Sequence, residues 1–260
     1  MECEWKMNKT VTVKGITIGE GPPKICVPIV GETMEQLKDE ATLLEQLELD
    51  VVEWRVDFYE HVEDLEKVKE VLSVIRGILP EVPLIFTFRS ANEGGEKEVS
   101  TSYYFELNKE IAKTGLIDIV DVELFNEEED VKALIETAHA KNVYVIISNH
   151  DFDKTPAKEE LITRLRKAQE LGGDLPKIAV MPNSTADVIT LLDATNTMNE
   201  LYADRPVITM SMAGKGVISR LAGEVFGSAL TFGAAKNASA PGQIPVSELR
   251  YVLNLIHDNH

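Results

Sequence analysis

Eight short apolar, largely β-branched runs recur along the chain, at 25–30, 51–56, 84–88, 117–122, 143–147, 178–181, 207–212 and 229–232. Charged segments with helical periodicity separate them. In 34–49 the apolar residues Leu37, Ala41, Leu44 and Leu47 fall on one helical face. The segments 65–78, 103–112, 131–138, 161–171, 186–194 and 249–256 behave alike, and the connection 212–221 carries the seventh helix. Strands alternating with helices imply parallel strands joined by crossovers. Their near-continuous apolar character fits burial on both faces. Eight such strands with no obvious edge favour an α/β fold closed into a (β/α)8, or TIM, barrel, and 260 residues suit one such domain spanning 1–260. An open doubly wound sheet is the alternative, but residues 29–31 lack its glycine-rich phosphate loop. Residues 10–21 read as a hairpin around Lys14-Gly15, placed to plug the N-terminal mouth. Residues 234–245, small, polar and containing glycine and proline, follow the last strand and read as a lid at the C-terminal mouth.

The net charge of −18 argues against nucleic acid and anionic membranes as partners. It also repels an anionic substrate at long range, so a site for an acid must supply its own arginines. Two cysteines, Cys3 and Cys26, make no disulfide framework and point to a reducing compartment. Residues 1–10 lack the apolar core of a signal peptide, and runs such as 143–147 are far too short to span a membrane. The expected location is the cytoplasm.

In such barrels the site lies where strands end at the C-terminal face. Lys177 opens the apolar run Ile178-Ala179-Val180-Met181. Inside a barrel, desolvation and neighbouring cations would favour its neutral, nucleophilic amine. Equally, the lysine sits at the strand's N-terminal edge and snorkels to solvent. His150 ends the fifth run, where a histidine either shuttles protons or caps a turn. Glu93, in A-N-E-G-G-E, either orients that imidazole or is a solvated loop residue. Arg89 and Arg220 are candidates for gripping a carboxylate, although Arg220 also reads as an ordinary helix residue. Met210 and Met212 fill space or wall a pocket. His61, His139, His257 and His260 read as surface residues. Neither metal-binding nor nucleotide-binding spacings occur.

Taken in order, the segments E-W-R-V-D (53–57), F-T-F-R-S with E-G-G-E (86–96), S-N-H-D-F (148–152), K-I-A-V-M-P (177–182), T-M-S-M (209–212), I-S-R-L-A-G-E-V-F-G-S (218–228) and A-S-A-P-G-Q-I (238–244) resemble the type I 3-dehydroquinate dehydratases from about Lys24 to the C-terminus. The resemblance implies a (β/α)8 barrel, a homodimer, and dehydration of 3-dehydroquinate to 3-dehydroshikimate without metal or organic cofactor. It implies that Lys177 forms an imine with the ring ketone, that His150 moves protons in a syn elimination, and that Glu93 holds His150. It further implies that Arg220, Ser239 and Gln243 surround the substrate carboxylate. Glu53 and Arg89 would meet the ring hydroxyls, Arg55 would support the acidic cluster, and Met210 and Met212 would pack on the ring. One departure is visible: some members carry a serine where this chain has Pro28. A class I aldolase would share the lysine but need phosphate-binding glycines, for which Gly214 and Gly216 are the only hint. A non-catalytic barrel would have no reason to keep Lys177, His150 and Glu93 together.

Overall fold

The computed structural model describes residues 10–235 and 242–260. Strands β1 (Val11–Val13) and β2 (Ile16–Ile18) form an antiparallel hairpin. Its turn needs two left-handed residues, Lys14 at φ 45° and Gly15 at φ 79°. The remaining strands form one curled parallel sheet. They are β3 (Lys24–Ile29), β4 (Val51–Arg55), β5 (Leu84–Thr87), β6 (Ile119–Glu123), β7 (Tyr144–Asp151), β8 (Leu175–Val180), β9 (Ile208–Ser211) and β10 (Leu230–Ala234), with β11 (Ile244–Pro245) appended beyond β10. β10 pairs with β3, Phe232 opposite Cys26. Between β9 and β10, a parallel bridge joins Val207 to Ser228, and Ala229 N–H donates to the Val207 carbonyl at 2.8 Å. These two joins close the barrel that the alternating pattern predicts.

The helices are α1 (Met34–Leu44), α2 (Leu65–Ile78), α3 (Thr101–Ala112), α4 (Glu128–His139), α5 (Lys158–Glu170), α6 (Thr185–Leu201), α7 (Val217–Leu221), α8 (Gly223–Phe226) and α9 (Val246–His257). Their N-termini are fixed locally. Thr33 and Ser184 form capping boxes with Gln36 and Asp187, while Asp64 and Ser100 accept from the third helical N–H. α1 stops at Leu44, short of the expected 49, because the chain unwinds into turns that deliver Asp50 to the Ile25 N–H and to Arg250, both at 2.7 Å. α6 runs on past 194 because Thr195, which breaks the apolar stripe, is satisfied by the Leu191 carbonyl and the Thr209 hydroxyl. The weakly patterned connection 212–221 holds a 3-10 turn, Gly214–Gly216, followed by the short α7.

Side chains alternate across each strand. The outward set packs under the helices, with Trp54 and Phe86 edge-to-face at a centroid distance of 5.6 Å. The inward set begins with an apolar layer of Val51, Ile85, Ile119, Ile146, Leu175, Ile208 and Leu230. Val11, Val13 and Ile18 of the hairpin pack against this layer, so the hairpin closes the N-terminal end of the barrel. Among the described residues, the polar side chains facing into the barrel lie on the side of the opposite mouth. Among the described residues no helix is long and apolar enough to cross a membrane.

Candidate active site

Two residues beyond that apolar floor, the inward positions become Glu53, Thr87, Asp121, Ser148, Lys177, Met210 and Phe232. Two further on they are Arg55, Arg89, Glu123, His150, Ala179 and Met212. A polar layer thus lies directly on a sealed floor. One cavity, open to the mouth, is lined by ten residues expected from the sequence: Glu53, Arg55, Arg89, Glu93, His150, Lys177, Met210, Met212, Arg220 and Gln243. Gly94, Phe152, Ala179 and Phe232 complete the wall. The eleventh expected residue, Ser239, lies outside the described residues. Pro28 lines a different cavity, between β3 and α1.

Lys177 is the third residue of β8 and only 4% exposed, so the snorkelling reading fails. Its Nζ lies 3.4 Å from Asp121 Oδ2, 3.8 Å from Glu53 Oε1 and 4.7 Å from the centre of the Phe232 ring. The charges nearest the amine are carboxylates, not the cations expected from sequence. Glu53 also accepts from Thr87 Oγ1 at 2.9 Å.

Arg89, one of the two candidate carboxylate grips, is already engaged. It donates to Asp121 and Glu123 at 2.8 Å and to Ser148 Oγ at 3.0 Å. Burial opposes its charge, but Asp121, Glu123 and Glu93 outweigh burial and raise its pKa well above the ordinary value. In Asp121 burial is likewise overcome, by Arg89, Lys177 and the Ser148 hydroxyl, which hold the carboxyl below its usual range. Arg55 makes a two-pronged pair with the fully buried Asp57, both contacts at 2.8 Å. Asp57 in turn accepts the Glu96 N–H at 3.1 Å, tying down the loop that carries Glu93.

That loop is shaped by close approach. Glu93 ends a 3-10 turn, Ala91–Glu93, which Gly94 closes at φ 85°. A Cβ on Gly95 would lie 1.9 Å from the Arg89 carbonyl oxygen, so only glycine fits there. Glu93 Oε2 accepts from the His150 backbone N–H and meets His150 Nδ1, each at 2.9 Å, and Oε1 accepts from Asn149 Nδ2 at 3.1 Å. Burial pushes the Glu93 carboxyl up to about 7, with Arg89 pulling the other way. Burial, then Arg89, Lys177 and Arg55, hold the His150 imidazole well below its ordinary pKa. A neutral ring with Nδ1–H donating to Glu93 leaves Nε2 as a proton acceptor.

Arg220, on α7, is 1% exposed, and its Nη1 lies 3.9 Å from Met210 Sδ. Burial lowers its pKa to about 10, which still leaves it charged at neutral pH. Its position is set by Ser219, whose hydroxyl accepts from the Ser211 N–H at 2.8 Å and donates to the Gly216 carbonyl at 2.7 Å. A Cβ on Gly216 would lie 2.2 Å from the Ser211 oxygen, so that glycine serves this close turn rather than a phosphate.

Sequence reasoning missed Asp121, Glu123, Ser148 and Asn149. Strict alternation counted from the apolar floor would have found the first three. Asn149 points outward from its strand, and no sequence signal marks it.

An acid–base pair, a buried lysine and a buried arginine converging on the C-terminal mouth of a sealed barrel define a barrel enzyme. The sequence matches the profile of the type I 3-dehydroquinase family over residues 25–260. It is 67% identical over 253 residues to the 3-dehydroquinate dehydratase of Bacillus licheniformis, covering 97% of this chain and 100% of that one. It is 61% identical over 251 residues to that of Clostridioides difficile, covering 96% and 98%. The crystal structure of the type I 3-dehydroquinate dehydratase from Clostridium difficile with covalently modified comenic acid superposes with a TM-score of 0.96 at 60% identity, covering 98% of this chain and 100% of that one. The chain belongs to the type I 3-dehydroquinase family and is a 3-dehydroquinate dehydratase of type I. A 3-hexulose-6-phosphate synthase, at 18% identity and a TM-score of 0.60, shares the barrel alone.

Proposed function

We propose that the dehydration runs through an imine on Lys177, in a single barrel domain whose segment 234–245 acts as a lid. The observation that carries this reading is the Lys177 amine, buried in the polar layer of a cavity that also holds an oriented His150. Arg220, with Gln243 and Ser239, takes the substrate carboxylate and so turns the ring ketone toward the amine. Arg220 is suited to this because its buried charge gains from a bound anion. Glu53 and Arg89 meet the ring hydroxyls, Arg55 holds the mouth of the cluster through Asp57, and Met210 and Met212 pack against the ring.

His150 Nε2 takes a proton from the Lys177 ammonium, the amine attacks the ketone carbon, and the imidazolium then protonates the carbinolamine oxygen. The carbinolamine then loses its oxygen as water and leaves an imine. The imine withdraws electrons, so the adjacent C–H becomes acidic. His150 Nε2 removes that proton, held in line by Glu93. The same imidazolium returns the proton to the neighbouring hydroxyl, which departs as water from the same face. A second water hydrolyses the imine, releasing 3-dehydroshikimate and the free amine. The balance is one water lost from substrate and none from protein. The apolar floor keeps bulk water from reaching the imine through the N-terminal end of the barrel.

The product feeds aromatic amino acid biosynthesis through the shikimate pathway in the cytoplasm, as the family's reaction implies. Exposed Ile218, Val225, Tyr251 and Leu255, on the three consecutive helices α7 to α9, support a homodimer. Light scattering is expected to give twice the chain mass.

Turnover tests the central reading. With 3-dehydroquinate, the wild type is expected to raise the ultraviolet absorbance of the conjugated product. Lys177→Met, similar in length but without an amine, is expected to leave that absorbance flat. Turnover by the methionine variant within tenfold of wild type would overturn the imine route.

A further inference from the structure

Glu93 is expected to work by holding His150, so what holds Glu93 itself bears on the chemistry. From β6 and the end of β5, Glu123 and Arg89 face its carboxyl, and from β7 His150 does. The remaining partner is the Asn149 amide, which donates Nδ2 to Glu93 Oε1 at 3.1 Å. An amide can flip, and a flipped Asn149 would set its oxygen against the carboxylate. On its other side Asn149 Oδ1 accepts from Arg164 Nη1 at 2.8 Å. A guanidinium has donors only, so it fixes which end of the amide faces it. With Oδ1 turned to Arg164, Nδ2 must face Glu93. Flipping the amide would replace both hydrogen bonds by like-against-like contacts.

Arg164 is itself well placed for this. It lies on α5, on the outside of the barrel, where Nε donates to Glu160 Oε1 one turn earlier at 2.8 Å. Its guanidinium carbon sits 5.2 Å from the centre of the Phe125 ring, in the loop after β6. Arg164 is not among the residues lining the cavity.

We propose that Arg164 is a positioning residue for the dehydration, acting through Asn149 to hold Glu93, and through Glu93 the proton-transferring face of His150. The inference rests on the roles given above to Glu93 and His150. It extends the catalytic machinery through the barrel wall to α5, and it makes the relay directional. The cation orients the amide, the amide orients the carboxylate, and the carboxylate orients the imidazole.

The test is steady-state kinetics of Arg164→Ala, Asn149→Ala, the double variant and Glu93→Gln, each from pH 6 to 8.5. Arg164→Ala is expected to lower kcat about tenfold, the scale of one hydrogen bond to a charged group, with KM within about twofold of wild type. Its loss is expected to be larger at pH 6 than at pH 8, because Glu93 without the aligned Asn149 donor takes up its proton more readily. In the Asn149→Ala background, Arg164→Ala is expected to cost nothing more. Arg164→Lys, which keeps a cationic donor, is expected to recover part of the rate. Additive losses in the double variant, or a pH-independent loss in Arg164→Ala, would overturn the relay. Should Asn149→Ala not fold, the pH profile of Arg164→Ala still decides. Glu93→Gln separates the two levels: if it is impaired while Arg164→Ala is not, the relay alone fails. If Glu93→Gln matches wild type, the role of Glu93 fails and the relay falls with it.

Discussion

Replacing Glu93 with glutamine should stabilise the protein at alkaline pH while damaging its activity. The carboxyl titrates near 7 in the fold against 4.5 in an exposed chain. Between those values the unfolded chain gives up a proton that the folded protein keeps. The folded state therefore loses stability as pH rises through this window. The gap corresponds to about 3 kcal/mol when fully developed above pH 7. His150 acts in the opposite direction, since a buried imidazole held below its ordinary pKa adds stability as pH rises. Because His150 Nδ1 meets the replaced carboxylate, the comparison is made in a His150→Ala background, which removes the imidazole's contribution from both proteins. The glutamine still accepts one of the two hydrogen bonds from Asn149 and the His150 backbone, but its own NH2 opposes the other. That constant cost does not depend on pH. Urea unfolding at pH 5 and pH 8 is the assay. In that background the stability of Glu93→Gln relative to the protein retaining Glu93 is expected to rise by about 2–3 kcal/mol between the two. A difference that is flat with pH, or that moves in favour of the protein retaining Glu93, would refute the claim that burial dominates at Glu93.

Other outcomes follow from the same geometry. His150→Ala should lower kcat by about 10²- to 10⁴-fold, the usual contribution of a positioned acid–base group. The variant should still form some imine, seen as a protein mass increased by substrate minus water. Arg220→Ala should raise KM by about 30-fold or more, because truncating one partner of a buried charge pair costs about 2–5 kcal/mol. Substrate dependence of the initial rate checks this, and an unchanged KM would place the carboxylate elsewhere.

The barrel was legible because parallel strands covered on both sides read as short, largely apolar runs, as 84–88 and 143–147 do, set between helical segments. Its interior was less so. The apolar run at 178–181 left Lys177 at its N-terminal edge. In the structure β8 begins at Leu175, Pro176 sits opposite Ile147, and Lys177 falls in mid-strand facing inward. Asp121 and Glu123 were passed over because 117–122 was read only as an apolar run. The barrel turns both inward, above Ile119. Arg89 shows the reverse limit. Residue type suggested an anion grip, but only geometry reveals that Asp121 and Glu123 already occupy its guanidinium. The relay through Asn149 and Arg164 depends on a helix packing behind a strand, a contact between elements that local pattern does not encode.

The claim on which the rest depends is the covalent role of Lys177. Sodium borohydride added during turnover of 3-dehydroquinate reduces an imine to a stable secondary amine. Peptide mass spectrometry is expected to find that adduct on the peptide containing Lys177, with loss of activity in step with its formation. An inactivated protein carrying the adduct on Lys215, or full turnover with no adduct at all, would contradict it.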